Sequence, residues 1–137
     1  MSVVIEQAQG NVPVAILAIR GDLDASNYRQ VIAKAEEAYT AGARNLLVDM
    51  SEVPFMASSG MVALHSMVLL FQGERPSDLE HGWEAFHAIG RDQDKGVQKL
   101  VKLLNPQPRV MRTLEVTGLK AFFEIYNERE AAIASFD

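Results

Sequence analysis

With 137 residues, 48% of them hydrophobic and 23% charged, the chain has the size and composition of a single folded domain that buries roughly two thirds of its unfolded surface. A net charge of −5 and a pI near 5.2 argue against nucleic acid or an anionic membrane as the main partner, since both require basic clusters. The absence of cysteine excludes disulfides and thiolate metal sites and suits a reducing compartment.

Val3 to Gln7 reads as a short strand, and Gly10-Asn11 as a turn leading into a second strand over Val12 to Arg20. That second run is apolar on both alternating sets, which places it inside a sheet, with Pro13 near its beginning. From Ala25 to Ala41 the residues Tyr28, Val31, Ile32, Ala35, Ala38 and Tyr39 follow helical spacing. Asp24 or Ser26 can cap this helix, and Gly42 ends it. Asn45 to Met50 is another buried strand. A helix between two buried strands implies a crossover and therefore a mixed, mostly parallel sheet.

Phe55-Met56-Ala57-Ser58-Ser59-Gly60-Met61 joins that strand to an apolar helix, Ser58 to Gln72. The junction sets two hydroxyls at a helix N-terminus, where unpaired N–H groups and the positive dipole end accept an anion such as a phosphate on Ser58. Ser58 or Ser59 equally suits the N-cap. Met61, Leu64, Met67, Val68 and Phe71 form one apolar stripe, whereas Val62, Leu69 and Leu70 lie away from it. The second stripe needs a cover, either a protein partner or the stretch that follows.

That stretch, residues 73–96, carries a capping-box spacing at Ser77 and Glu80. Leu79, Trp83 and Phe86 then fall on one side of a short inserted helix, expected to pack on the domain. Val97 to Leu104 returns to a strand. Asn105-Pro106-Gln107-Pro108 turns into a helix with Val110, Met111, Leu114 and Val116 inward, ending at Gly118. Phe122 to Tyr126 is a last strand, and Glu128 to Phe136 a terminal helix with Ala132, Ile133 and Phe136 inward. The expected total is about five strands and about four helices in one domain, residues 1–137.

Catalytic patterns are absent. Met56 occupies the first glycine position of a Gly-x-Ser-x-Gly elbow around Ser58. His81 and His87, with Gly82 between them, do not form a zinc face, and His65 borders the apolar stripe as a packed or rim residue. Asp22, Asp24 and Asp49 could gather near the Ser58 turn like a metal site, though capping and turn roles account for them better, and no metal or cofactor is expected. Met1 to Gln9 holds Glu6 and no basic start, so no signal peptide is expected, and Val53 to Gly73 is interrupted too often by polar residues to span a membrane. These features suggest a cytoplasmic protein that is not an enzyme.

Several segments in order, Gly21-Asp22-Leu23-Asp24, Leu47-Val48-Asp49-Met50-Ser51-Glu52-Val53, Phe55 to Met61, Asn105-Pro106 and Thr117-Gly118-Leu119, resemble the STAS domain, and within it the stand-alone bacterial anti-sigma factor antagonists. The likeness covers the chain except residues 73–96. It implies an α/β fold and a protein-binding switch. Ser58 falls on the hydroxyl that a partner kinase phosphorylates, and Asp22, Asp24, Ala57, Ser58, Ser59, Gly60, Met61 and Val62 on the partner-binding surface. The implied partner is an ATP-binding, histidine-kinase-like serine kinase that is also an anti-sigma factor, sequestered while Ser58 is unmodified and released on phosphorylation. The family turn carries an Asp where this chain has Ala57. That departure supports an alternative, a constitutive STAS scaffold or soluble transporter subunit that is not phosphorylated. A homodimer is left open.

Overall fold

Ser2–Gln9 (β1) and Pro13–Arg20 (β2) form an antiparallel hairpin, in register from Ser2 opposite Arg20 to Gln9 opposite Pro13. The computed structural model describes residues 1–74 and 97–137. The helix expected around Leu79, Trp83 and Phe86, its capping pair Ser77 and Glu80, and His81 and His87 lie outside these residues.

Leu46–Glu52 (β3), Gln98–Leu104 (β4) and Phe123–Tyr126 (β5) complete a sheet of order β1-β2-β3-β4-β5, with every pair after the hairpin parallel. Parallel neighbours require crossovers. Tyr28–Thr40 (α1) links β2 to β3, Ser58–Phe71 (α2) follows β3, and Pro108–Thr117 (α3) links β4 to β5. Arg129–Ala134 (α4) ends the described chain's regular structure.

The pleat sorts the strands between two cores. Leu17 and Ile19 of β2, Val48 and Met50 of β3, and Val101 and Leu103 of β4 pack with α1, α2 and α3. Val14, Ile16, Leu47 and Leu104 point to the other face, where Ala132 of α4 and Phe136 cover them. Burial on both faces is why β2 and β3 read as nearly continuous apolar runs.

Several boundaries differ from the sequence expectation, each for a local reason. α1 starts at Tyr28 rather than Ala25 because Asp24 to Asn27 close a turn of their own. The Asp24 carbonyl accepts the N–H groups of Asn27 and Tyr28, and its carboxylate accepts the N–H and hydroxyl of Ser26 at 2.9 and 2.5 Å. A short polar side chain that bonds its neighbours competes with the helix. Neither Asp24 nor Ser26 caps α1, whose N-cap is Asn27.

Val116 is 79% exposed rather than inward. At about 100° per residue it lies roughly opposite the buried pair Val110 and Leu114 on α3. Phe122 closes a 3₁₀ turn, Leu119–Phe122, instead of opening β5. Phe136 lies beyond the end of α4, yet it is buried in the second core as expected.

Of the second stripe of α2, Val62 and Leu70 are buried and Leu69 is half-buried. α2 packs along α1, where Tyr39 meets Phe71 edge-on with ring centroids 5.4 Å apart.

Candidate functional site

The site is assembled from the loops that leave the C-terminal ends of β2, β3 and β4. At the end of β3 the Asp49 carboxylate accepts the N–H of Ser51 at 3.0 Å and its hydroxyl at 2.7 Å, which turns the chain outward toward Pro54. The loop after β2 is then stitched to the loop after β3. Leu23 donates its N–H to the Phe55 carbonyl at 3.0 Å, and Ala57 donates to the Leu23 carbonyl at 2.9 Å, a single parallel rung between Leu23 and Met56. Gly21 adds a third bond to the Glu52 carbonyl, and the exposed pair Arg20–Glu52 stands beside it at 2.9 Å.

This rung places exposed Asp22 and half-buried Asp24 next to the Ser58 turn. Buried Asn27 braces them from beneath: its Oδ1 accepts the Asp24 N–H at 3.0 Å and its Nδ2 donates to the Asp22 carbonyl at 2.7 Å. The hydrogen bonds from Ser26 hold the Asp24 carboxyl below its ordinary value of 3.8, so it remains charged at neutral pH.

α2 starts with Ala57 as its N-cap, in extended conformation and with no side-chain capping bond. This corrects the expectation that Ser58 or Ser59 fills that position. Ser58 is the first helical residue and is exposed, while Ser59 is the second and turns its hydroxyl inward, buried and without a hydrogen-bond partner among the described residues. Gly60 donates its N–H to the Ala57 carbonyl at 2.9 Å. No backbone acceptor among the described residues takes the N–H groups of Ser58 and Ser59, so the end of α2 is an uncapped, positively polarised terminus beside an accessible hydroxyl.

Gly60 is fixed by close approach. A Cβ there would stand 2.4 Å from Met56 Cγ and 3.1 Å from Leu23 Cγ, so glycine lets the first turn of α2 lie directly on the Leu23–Met56 rung. Met61 is half-buried, and Gly60 and Val62 are buried. Of the anticipated partner-binding residues, Asp22, Asp24, Ala57 and Ser58 reach the surface together with part of Met61. Gly60 and Val62 shape that surface from below.

Two side chains at the rim carry no role in the sequence reading. Phe55 is 37% exposed, and the Arg109 guanidinium lies over its ring at 5.1 Å from the centroid. An aromatic residue within a turn, outside any helical or strand period, was the available signal for Phe55. Arg109 had none, because its position depends on α3 returning to this end of the sheet. There Gln107 also donates to the Ser51 carbonyl at 2.9 Å, tying the loop after β4 to the other two.

Among the described residues the one histidine is not placed as a base for Ser58. His65 sits seven residues along α2, roughly 10 Å away by helical rise, buried and tilted against Phe122 at 6.4 Å. Among the described residues no three His, Asp or Glu side chains are placed to hold a metal ion, and Asp24 and Asp49 bond to Ser26 and Ser51. No described helix is long and apolar enough to cross a membrane.

Comparison with known proteins bears on this geometry. A family model described as the STAS domain matches residues 4–73, a span that includes both anticipated partner-facing segments, around Asp22 and Asp24 and around Ser58. Among curated proteins none matches by sequence. Among solved structures, an anti-sigma factor antagonist from Mycobacterium paratuberculosis superposes with a TM-score of 0.66 at 15% identity, covering 98% of this chain and 92% of the other. The anti-sigma factor antagonist SpoIIAA in its unphosphorylated form gives 0.61 at 19% identity, with 95% and 92% covered. The Bacillus cell fate determinant SpoIIAA in its phosphorylated form gives 0.53 at 20% identity, with 95% and 96% covered. At these identities the likeness establishes a shared fold.

Proposed function

Since the chain belongs to the STAS domain family, we propose that it is an anti-sigma factor antagonist, a non-enzymatic binding protein whose contact with an anti-sigma serine kinase is switched at Ser58. The observation that carries this reading is the accessible Ser58 hydroxyl on the first turn of an uncapped helix, flanked by Asp22 and Asp24. Similar folds are named as anti-sigma factor antagonists, one in a phosphorylated form.

In the unmodified state the turn offers a mostly neutral surface rimmed by Phe55 and Met61. Phosphorylation adds about −1.5 to −2 charges at neutral pH, and the N–H groups of Ser58 and Ser59, which no described backbone acceptor takes, can donate to the phosphate without refolding. A partner carboxylate roughly 8 Å away, at an effective dielectric near 20, would oppose each added charge by about 2 kcal/mol. That corresponds to roughly thirtyfold in affinity, enough to switch a modest interface with both cores intact.

Binding of the partner ATPase is the test, measured calorimetrically with three forms of the chain. Ser58→Ala is expected to bind like the unmodified protein and to resist phosphorylation, and Ser58→Asp to lose measurable binding. Equal affinity of Ser58→Asp and the unmodified protein would refute the switch.

One observation favours a second reading. Ala57 leaves α2 without the carboxylate cap found in the family turn, and a chain that is never phosphorylated could serve as a constitutive scaffold or a soluble transporter subunit. Affinity purification from the native cell separates the two: a histidine-kinase-like ATPase supports the switch, and transporter subunits support the scaffold. A second copy of the chain is a further candidate partner, at a different edge of the molecule.

A further inference from the structure

The two edges of the sheet differ. β5 is four residues long and follows a register shift between Gln98 and Leu103, the short irregular form that offers little to pair with. β1 is eight residues long and runs against β2 without a bulge. It contains neither the lysine nor the proline that commonly blunts an exposed edge.

The outward groups of β1 can be assigned. Ala15 donates its N–H to the Asn45 carbonyl, on the β3 side, so Ala15 turns its ladder groups away from β1. Gln7, its partner across the hairpin, therefore turns its own groups away from β2. By alternation, Val3, Ile5, Gln7 and Gln9 all aim backbone N–H and C=O at the edge that no other described strand pairs with.

Val4 is 44% exposed on this strand, and the only charge there, Glu6, is taken by Arg129 at 2.6 Å. α1 does not cover the edge. A cleft of about 370 Å³ lies between them, its lining including Val4, Ile5, Gln7, Lys34 and Glu37.

We propose that β1 pairs antiparallel with β1 of a second copy, joining the two sheets edge to edge about a two-fold axis. In one continuous sheet, opposed residues share a face, so the register must pair even with even and odd with odd. Centring the axis on Val4 opposes Val4 to Val4 and Val3 to Ile5. It also leaves the two Glu6 residues about 14 Å apart along the strands, beyond the Debye length of about 8 Å in physiological salt. Centring it on Glu6 would oppose the carboxylates directly. In this register the strand opposes apolar residues of its own copy and holds its one charge away from the like charge, which is the ground for committing to that occupant. The Ser58 turn itself lies past the end of β3, two strands in from this edge, and the joint does not depend on the switch.

The natural absence of cysteine makes the test direct. Sedimentation equilibrium of the intact protein should give twice the single-chain mass of 15.1 kDa, and Val4→Lys, with an unchanged circular dichroism spectrum, should return the single-chain mass. Val4 opposes its copy at a non-hydrogen-bonded position with Cα atoms about 4.5 Å apart, within disulfide reach. Mild oxidation should therefore cross-link a Val4→Cys variant and spare a Glu6→Cys variant. Single-chain mass up to millimolar concentration, a dimer that survives Val4→Lys, or cross-linking that does not favour Val4→Cys over Glu6→Cys would each overturn the proposal.

Discussion

Ser58 and Ser59 are neighbours with opposite environments. The first presents its hydroxyl to solvent at the start of α2, and the second buries its own without a partner among the described residues. A buried hydroxyl with an unmet hydrogen bond costs about 1–3 kcal/mol, and removing it takes that cost away along with the group. Ser59→Ala is expected to leave stability unchanged or raise it by about 1 kcal/mol in urea unfolding, and to leave partner binding intact. Gly60→Ala is expected to lower stability by about 1–3 kcal/mol by the same measurement, since its Cβ would drive against Met56 and Leu23. The sequence placed both serines at a helix start. It could not separate them, because which hydroxyl turns inward depends on where α2 rests on the Leu23–Met56 rung.

At the scale of elements, the helices were legible where their stripes were broad and their ends carried clear stops, as with α3 between Pro108 and Gly118. They were less so where local side-chain bonds competed, as in the Asp24–Asn27 turn. α4 was legible, with Ala132 and Phe136 inward as the spacing predicts. A buried cation bonded just past its end adds to its hold on the far face of the sheet. Lys102, 2% exposed, donates to the Ser135 carbonyl at 3.0 Å and to its hydroxyl at 3.1 Å, and lies 4.6 Å from the Phe136 ring centroid.

Glu124 joins this group, with the Tyr126 hydroxyl donating to it at 2.7 Å and Lys102 Nζ at 3.5 Å. The Tyr126 hydrogen bond, with a smaller contribution from Lys102, holds the Glu124 carboxyl below its ordinary value of 4.5. A carboxyl whose folded pKa is depressed stabilises the fold above its unfolded pKa, and this contribution fades as pH falls through the folded value. The advantage of the unmodified protein over Glu124→Gln is therefore expected to be about 1 kcal/mol near neutral pH, reduced by partial exposure, and to fade in urea titrations as pH falls from the ordinary carboxyl value through the depressed folded one.

At the scale of the molecule, parallel order gathers the functional surface. With β2, β3 and β4 all pointing the same way, the loops that leave them meet at one end, and Leu23, Gln107 and Ser51 tie them together. Sequence patterning gave the layers, because strands buried on both faces and separated by helices admit few other architectures. It did not give the rim pair Phe55 and Arg109, whose two halves are brought together only when α3 packs. The surface so formed is the binding face proposed for this chain, with Ser58 as its accessible hydroxyl.

Phosphosite mapping by mass spectrometry, after incubating the intact protein with its partner kinase and ATP, tests that conclusion most directly. Phosphate on Ser58 alone, abolished in Ser58→Ala and accompanied by release of the kinase, is the predicted result. Phosphate confined to any other residue, or a kinase that stays bound once Ser58 is modified, would contradict it.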